Sequence, residues 1–215
     1  SATEVYESGM ESIRSAITPG HYYAVGEDGT RRRLPIGRWL KKAPDDEELL
    51  LDRADGPVLD IGCGAGRHLV ALVRRGVVAT GVEVSRFAVA IAREQGADVI
   101  HGSVFDLSEA RRWETGLLLD GNVGIGGDPG RLLACSAGLL RPGGQLLVEL
   151  EAPSVQTRAV NLRLEGPSDV SEWFPWAWVG VDAIAPIAEA AGMKVSDLWS
   201  AGGRWFAQLR LVSVA

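Results

Sequence analysis

Residues 58–68 read Val-Leu-Asp-Ile-Gly-Cys-Gly-Ala-Gly-Arg-His, and this stretch decides the fold. It combines a short apolar run, a turn with glycine at every second position and the beginning of helical spacing. Gly62 permits a sharp exit from a strand, Gly64 lets a ligand lie against bare backbone, and Gly66 lets the next helix pack closely on the sheet. Free N–H groups at that helix start favour an electron-rich ligand group. The stretch predicts either a ligand-binding turn or a purely structural one, since both need glycines.

Around this turn, short Val-, Ile- and Leu-rich runs alternate with stretches of helical spacing, which is typical of a parallel sheet covered by helices. A last helix is predicted from Asp182 to Gly192, and the segments 193–199 and 204–211 follow it. Because so few residues join them, these two segments must be antiparallel. The predicted strands lie near 57–61, 77–82, 97–101, 116–120 and 144–150, and the predicted helices near 66–75, 85–94, 107–113 and 129–139.

Composition limits the classes of protein that fit. The chain has 215 residues, a net charge of −6 and two cysteines. The acidic balance disfavours long nucleic acids, and no apolar run is long enough to span a membrane. Two cysteines are too few for a disulfide framework or a structural zinc site. We therefore expect a cytoplasmic protein with one main domain and no metal, as a monomer or homodimer.

A carboxylate at the end of the second predicted strand favours the ligand-binding interpretation. Glu83 lies twenty-one residues after Gly62. At that place a carboxylate can accept hydrogen bonds from both hydroxyls of a ribose. A solvated charge at a strand end is the alternative, and it fits less well because the position follows an apolar strand on the crevice side.

These motifs resemble those of the class I S-adenosylmethionine-dependent methyltransferases. Asp60 and the Gly62-x-Gly64-x-Gly66 spacing are similar to that family's first motif, whereas dinucleotide oxidoreductases space their glycines as G-x-G-x-x-G. Residues 81–85, 102–107 and 139–144 are similar to later motifs, in the expected order. The resemblance implies an α/β fold: a three-layer, Rossmann-like sheet of seven strands with the last strand antiparallel and helices on both faces. It also implies S-adenosyl-L-methionine as cofactor and S-adenosyl-L-homocysteine as product.

The resemblance also assigns cofactor contacts. It implies that Glu83 holds the ribose, that Asp106 meets the adenine amino group and that the backbone near Asp120 meets the methionyl amino group. Local roles remain open: Asp60 could hold the glycine loop, Asp106 could cap the helix predicted near Leu107, and Asn122 could cap a turn. The residues expected to contact the cofactor are therefore Asp60, Gly62, Gly64, Gly66, Glu83, Val104, Phe105, Asp106, Asp120, Gly121 and Asn122.

Two segments outside the repeating pattern are candidates for contact with a substrate. Residues 1–56 are predicted to form a lid or helical extension of the domain at 57–215, with His21 and Tyr23 as catalytic candidates and Tyr22 as a substrate contact. Residues 152–181 are longer than an ordinary connection, and their 173–178 stretch carries four aromatics, so Trp173 and Trp176 are further substrate candidates. Ordinary lid packing and a satellite core are the alternatives.

Three shorter features complete the prediction. Residues 31–33, three arginines, are interpreted as a solvated loop, and residues 156–164 as a strand added near the sheet. The glycines at 124, 126 and 127 indicate a loop that approaches a ligand or moves.

Methyl transfer to a small-molecule acceptor is therefore the predicted function, with the acceptor atom undetermined. The alternatives are a non-methylating binding module, an RNA methyltransferase on the same fold and, less favoured, a nicotinamide-dependent oxidoreductase.

Overall fold

The computed structural model describes residues 1–15, 20–108 and 112–212, and these form an α/β fold with two separate sheets. The helices are α1 Ala2–Arg14, α2 Ile36–Trp39, α3 Asp45–Leu51, α4 Arg67–Arg74, α5 Arg86–Glu94, α6 Pro129–Leu139 and α7 Ile184–Ala190. The strands are β1 Tyr23–Gly26, β2 Arg31–Arg33, β3 Val58–Ile61, β4 Ala79–Glu83, β5 Asp98–His101, β6 Trp113–Leu118, β7 Leu140–Leu150, β8 Arg158–Glu165, β9 Phe174–Trp178, β10 Met193–Ala201 and β11 Arg204–Leu211.

The larger sheet, here called the core sheet, has seven strands in the order β10-β11-β7-β6-β3-β4-β5. Its first five strands along the chain are parallel, while β11 runs antiparallel to both β7 and β10. The predicted antiparallel hairpin and the seven-stranded fold are confirmed. The strand order reverses beside β3, so the carboxyl ends of β3, β4 and β6 open a crevice there.

Both faces of the core sheet are covered, as predicted. Leu50, Leu69 and Val89 place α3, α4 and α5 on one face, against strand residues such as Val58. The opposite face carries α6 and α7, which bury side chains such as Leu132 and Ile184. Side chains alternate along β3, so Val58 and Leu59 belong to different cores and every residue of that strand is buried.

The smaller sheet, here called the lid sheet, joins segments that the sequence analysis treated separately. Its order is β2-β1-β8-β9, and all its pairings are antiparallel. Strands β1 and β2 come from the first part of the chain, whereas β8 and β9 come from the long connection after β7. Helix α1 packs on one face of this sheet, where Val5 and Met10 share an apolar cluster with Leu162.

Several local predictions differ from the structure. The three arginines at 31–33 form strand β2 instead of a loop, because β1 pairs with them. Strand β8 pairs with β1 and β9, not with the core sheet. The helix predicted at 107–113 is wrong at Trp113, which begins β6 and pairs with Leu140; residues 109–111 lie outside the described residues. A 3-10 turn at Val104–Asp106 precedes them.

Candidate functional site

A cavity of about 730 Å³ lies between the crevice of the core sheet and the lid sheet, within the range of about 300–1,000 Å³ for small-molecule sites. We call its two sides the loop half and the lid half. The loop half is formed by lining residues near 60–68, 82–84, 102–104 and 119–123. The lid half is formed by lining residues from α1, from β1 through α2, and from β8 and β9.

Glu83 stands at the end of β4, where its buried carboxylate meets the glycine turn. Its Oε2 accepts a hydrogen bond from the Gly64 N–H at 2.9 Å, and its Oε1 accepts one from the Ser85 N–H at 2.8 Å. Burial raises the pKa of Glu83 above the usual value for a glutamate, while these backbone N–H groups act in the opposite direction. Each oxygen keeps a further lone pair, so the carboxylate can still accept hydrogen bonds from a ligand.

The glycine turn is held in shape by Asn122. Its Nδ2 donates to the carbonyl oxygens of Ile61 and Gly62, at 2.8 and 3.0 Å. Gly62 has a φ of +70°, and a Cβ there would lie 2.7 Å from the Asn122 Nδ2. This contact gives Asn122 a structural role across the crevice rather than a cap within its own turn.

Gly64 and Gly66 serve different purposes. Gly64 lines the cavity with a φ of +54°, and a Cβ there would lie 3.2 Å from the Tyr6 hydroxyl. Gly66 has a φ of +82°, and its Cβ would lie 2.9 Å from the Ala92 Cβ. The close packing at Gly66 is therefore against helix α5, whereas Gly64 leaves backbone bare towards the cavity.

Behind the turn, His68 is buried between two carboxylates. Its Nε2 lies 3.1 Å from Glu47 Oε2, and its Nδ1 lies 3.6 Å from Asp60 Oδ2. Burial and the nearby Arg67 oppose protonation of this imidazole, but the electrostatic interactions with Asp60 and Glu47 outweigh them and raise the pKa of His68 to about 9. For Glu47, burial is likewise outweighed by His68 and two arginines, which lowers its pKa to about 2. The two carboxylates thus favour the protonated form of His68 and hold its ring in a structural role.

A chain of ion pairs crosses the strand ends beside His68. Arg67 Nη2 donates to both carboxylate oxygens of Asp120, at 2.9 and 2.7 Å. Arg204, from β11, donates to both oxygens of Glu149 and also lies 2.6 Å from Glu47 Oε1. Asp120 has a φ of +55°, an uncommon conformation for a residue other than glycine. Such strain persists where surrounding contacts fix it, which is frequent at functional sites.

Two buried polar atoms of the loop half have no hydrogen-bond partner in the described part of the chain: Asp60 Oδ2 and Arg67 Nη1. An unsatisfied acceptor and an unsatisfied donor that lie so close to the glycine turn are a suitable environment for a group bearing both an ammonium and a carboxylate. Together with the bare backbone at Gly64 and the carboxylate of Glu83, these atoms fit S-adenosylmethionine.

The lid half is aromatic. Phe174, Trp176 and Trp178 alternate along β9, so their side chains share one face of the lid sheet, and all three line the cavity. Tyr6 and Trp39 pack edge to face with ring centroids 5.9 Å apart. Arg32 lies 3.9 Å above the Trp178 ring and 2.6 Å from Glu151 Oε1.

Most of the predicted cofactor residues and one predicted substrate residue line this cavity. They are Asp60, Gly62, Gly64, Glu83, Val104, Asp120, Gly121, Asn122 and Trp176. Gly66, Phe105, Asp106, His21, Tyr22, Tyr23 and Trp173 are not among its lining residues.

The residues outside the lining have other environments. Phe105 lies under the Arg131 guanidinium, and Asp106 is exposed, so their proposed contacts with adenine remain predictions. Tyr22 is buried beneath α1, where it faces Gly9 and Gly166. The rings of His21 and Tyr23 lie edge to face, and Trp173 is exposed beside Arg163.

Of the three glycines predicted to approach a ligand or move, Gly126 lines the cavity, whereas Gly124 and Gly127 contact β9. A Cβ on Gly124 would lie 2.3 Å from the Ala177 carbonyl oxygen, and one on Gly127 would lie 2.9 Å from the Pro175 Cβ. Gly124 and Gly127 therefore allow close packing of the loop against β9 instead of against a ligand.

Several residues that line the cavity were not predicted from the sequence, among them Tyr6, Arg32, Trp39, Arg67 and Arg204. Arg67 had a local signal, a charged residue that directly follows the glycine turn. The others come from segments whose position depends on tertiary contacts.

Comparisons with known proteins agree with this geometry. A family model described as a methyltransferase domain matches residues 30–198. No curated protein sequence matches this chain. A methyltransferase from Bacteroides fragilis, solved as an S-adenosylmethionine-dependent enzyme with S-adenosyl-L-homocysteine, is similar over 100% of this chain and 97% of its own, with a TM-score of 0.81 and 19% identity.

Two further structures share the fold at lower similarity. The 1,6-didemethyltoxoflavin-N1-methyltransferase of Burkholderia thailandensis is similar over 81% of each chain, with a TM-score of 0.61 and 18% identity. The sugar N-methyltransferase KedS8 of Streptoalloteichus covers 82% of this chain and 90% of its own, with a TM-score of 0.60 and 20% identity. Since the family model spans most of the chain and the strand order agrees, the chain belongs to the methyltransferase-domain family, with the fold of the class I S-adenosylmethionine-dependent methyltransferases.

Proposed function

We propose that this protein transfers a methyl group from S-adenosylmethionine to a small-molecule acceptor inside the cavity. The observation that carries the proposal is the loop half itself. Within one cavity it presents the carboxylate of Glu83, which can accept hydrogen bonds from a ribose, and the bare backbone at Gly64. The same cavity also contains two polar atoms, on Asp60 and Arg67, without a hydrogen-bond partner in the part of the chain that the structure describes. When bound, S-adenosylmethionine supplies a methyl group already activated by its sulfonium.

The chain's own contribution is positioning. Glu83 would hold the ribose, while Asp60 and Arg67 would orient the ammonium and carboxylate of the methionyl end. Tyr6 and the aromatic lid half would exclude water and hold the acceptor in line with the methyl group, which lowers the barrier mainly through orientation. Burial raises the pKa of Tyr6, so its hydroxyl stays protonated and can donate a hydrogen bond.

Among the described residues that line the cavity, no histidine is free to act as a base, because the imidazole of His68 is already held between Asp60 and Glu47. The proposal therefore requires an acceptor atom that is nucleophilic without strong base catalysis. His21 and Tyr23 are not carried into it, because they do not line the cavity.

The proposal also includes the division into a lid segment at 1–56 and a methyltransferase domain at 57–215, and a cytoplasmic location. No helix among the described residues is long and apolar enough to cross a membrane. The small cysteine content supports the location, and the cavity volume of about 730 Å³ supports a small acceptor over a long nucleic acid.

Calorimetric titration with S-adenosyl-L-homocysteine tests the donor site. We expect one molecule per chain to bind, and Glu83→Ala to weaken binding more than tenfold, because the ribose loses its carboxylate. Glu189→Ala, an exposed acid on α7, is the control and should leave binding unchanged. Equal affinity for wild type and Glu83→Ala would contradict the assignment.

Two further measurements separate the alternatives. Release of S-adenosyl-L-homocysteine with candidate acceptors distinguishes an enzyme from a binding module. When the protein is mixed with reduced nicotinamide adenine dinucleotide, the fluorescence of the nicotinamide should not change. A saturable change in that fluorescence would favour an oxidoreductase.

A further inference from the structure

The carboxylates that line the cavity already have partners. Five carboxylates contribute to the described lining, from Asp60, Glu83, Asp120, Glu149 and Glu151. Four of them face a cation: His68 for Asp60, Arg67 for Asp120, Arg204 for Glu149 and Arg32 for Glu151. The fifth, Glu83, belongs to the loop half and bonds to backbone N–H groups. The lid half therefore has no spare negative charge to receive a cationic acceptor.

The same half does offer positive charge and hydrogen-bond donors. The indole N–H of Trp39 is buried and has no partner within the described residues. The guanidinium of Arg32 lies 3.9 Å over the Trp178 ring, so one face of this ring is already occupied by a cation. Because Arg32 also pairs with Glu151 at 2.6 Å, it keeps that carboxylate from a cationic acceptor.

The shape of the lid half suits a flat molecule. Trp176 and Phe174 stand edge to face, with ring centroids 6.2 Å apart and an interplanar angle of 87°. Leu162 and Leu164 come from β8 on the same side, and both line the cavity. Aromatic walls of this kind bury planar apolar surface and stack on it.

We propose that the acceptor is a planar aromatic molecule, neutral or anionic, that accepts hydrogen bonds from Trp39 and Arg32, and that Arg32 determines specificity by rejecting cationic acceptors. This inference rests on the proposed methyl transfer and adds the class of acceptor. It predicts that charge at the acceptor, rather than size, separates ligands from non-ligands.

The experiment compares three ligands of one ring system on protein saturated with S-adenosyl-L-homocysteine: 2-naphthol, 2-naphthoate and 2-naphthylmethylammonium. Binding is followed by quenching of tryptophan fluorescence and by calorimetry. We expect naphthol and naphthoate to bind at least tenfold more tightly than the ammonium. The titration with S-adenosyl-L-homocysteine comes first, and absence of binding there would contradict the methyl-transfer proposal. If that ligand binds but the three naphthalene ligands do not bind as expected, only the acceptor class is contradicted.

Arg31 supplies a matched control for Arg32. It lies on the same strand but on the opposite face, 3.6 Å over the Tyr23 ring and 3.8 Å from Glu165 Oε2. Arg32→Gln should weaken the binding of naphthoate. It should strengthen the binding of the ammonium, because Glu151 then becomes free to pair with that ligand. The difference between the two affinities should therefore shrink about tenfold. Arg31→Gln should leave all three affinities within twofold.

Three results would overturn the inference: ammonium binding as tight as naphthoate binding in the wild type, no millimolar or tighter binding of any of the three ligands, or the same effect from both arginine substitutions. If Arg32→Gln fails to fold, as judged by its thermal transition, the wild-type comparison of the three ligands decides alone.

Discussion

The two halves of the cavity are built in different ways. The loop half comes from strand ends that follow one another along the core sheet, and its main contacts join residues near the glycine turn, such as Gly64 with Glu83. The lid half joins β1 and β2 to β8 and β9, so Ala24 pairs with Leu164 across most of the chain. The loop half thus follows from a local motif, while the lid half exists only once distant segments pair.

The halves also differ in charge. Buried ion pairs surround the loop half, where Arg67, Asp120 and Arg204 form a continuous chain. In the lid half, aromatic rings predominate and Arg32 supplies a charge. Under the proposed function, the loop half would fix a charged donor in one orientation, while the lid half would select the acceptor by shape and by exclusion of positive charge. The following predictions test this contrast, from the largest expected effect to the smallest.

Arg204→Met tests whether the loop half depends on distant residues after all. Removing this guanidinium leaves the carboxylates of Glu47 and Glu149 with fewer partners in a buried setting. We expect the free energy of unfolding to fall by about 3–5 kcal/mol, measured by urea denaturation. Arg210→Met, on the same strand with a long contact to the Gly143 carbonyl oxygen, is the control and should cost less than about 1 kcal/mol. Equal losses would mean that local contacts alone hold the loop half.

Tyr22→Ala tests whether the lid sheet unfolds as a unit of its own. This side chain is 4% exposed and packs between α1 and the lid sheet, and its removal should cost about 3 kcal/mol. Hydrogen exchange should accelerate in β1 and β8 before it does in β3 and β6. Tyr23→Ala, on the opposite face, is the control and should change these rates little. Uniform acceleration in both sheets would show that the two halves are one cooperative unit.

The charge of His68 should make stability depend on pH. Because its pKa is about 9 in the folded protein, against an ordinary value of 6.5, its contribution is complete below about pH 6.5 and is lost as the pH rises through 9. From pH 7 to pH 9 the wild type should lose about 2 kcal/mol more than His68→Gln, measured by urea denaturation at both pH values. Parallel curves for both proteins would mean that His68 is not charged.

Gly64→Ala tests the bare backbone of the loop half. A Cβ there enters the cavity next to Tyr6, so S-adenosyl-L-homocysteine should bind at least tenfold more weakly, about 1.4 kcal/mol. Gly96→Ala meets the same left-handed strain at a φ of +82°, but its Cβ would touch nothing within 4 Å. Both variants should lose similar stability, and only the first should lose affinity in calorimetric titration. Equal affinities would remove Gly64 from the donor site.

The sequence by itself determined the core sheet and most of the loop half. Parallel strands with helical crossovers have a strong pattern, and the glycines at 62 and 64, with Glu83, lie within one short stretch of chain. Their contacts are therefore fixed by local backbone geometry and by the register of two neighbouring strands. The hairpin at the end was equally predictable, because so few residues join its strands.

Only the tertiary structure decided the lid half and the partners of the charged residues. Nothing in the local pattern of residues 31–33 distinguishes a solvated loop from a strand whose middle arginine stacks on Trp178, because the partner strands lie far away in the sequence. The same holds for Arg204, whose guanidinium meets acids from α3, β7 and the loop after β6. Charge pairing is set by distance in space, and sequence spacing gives that distance only within a single helix, turn or strand pair.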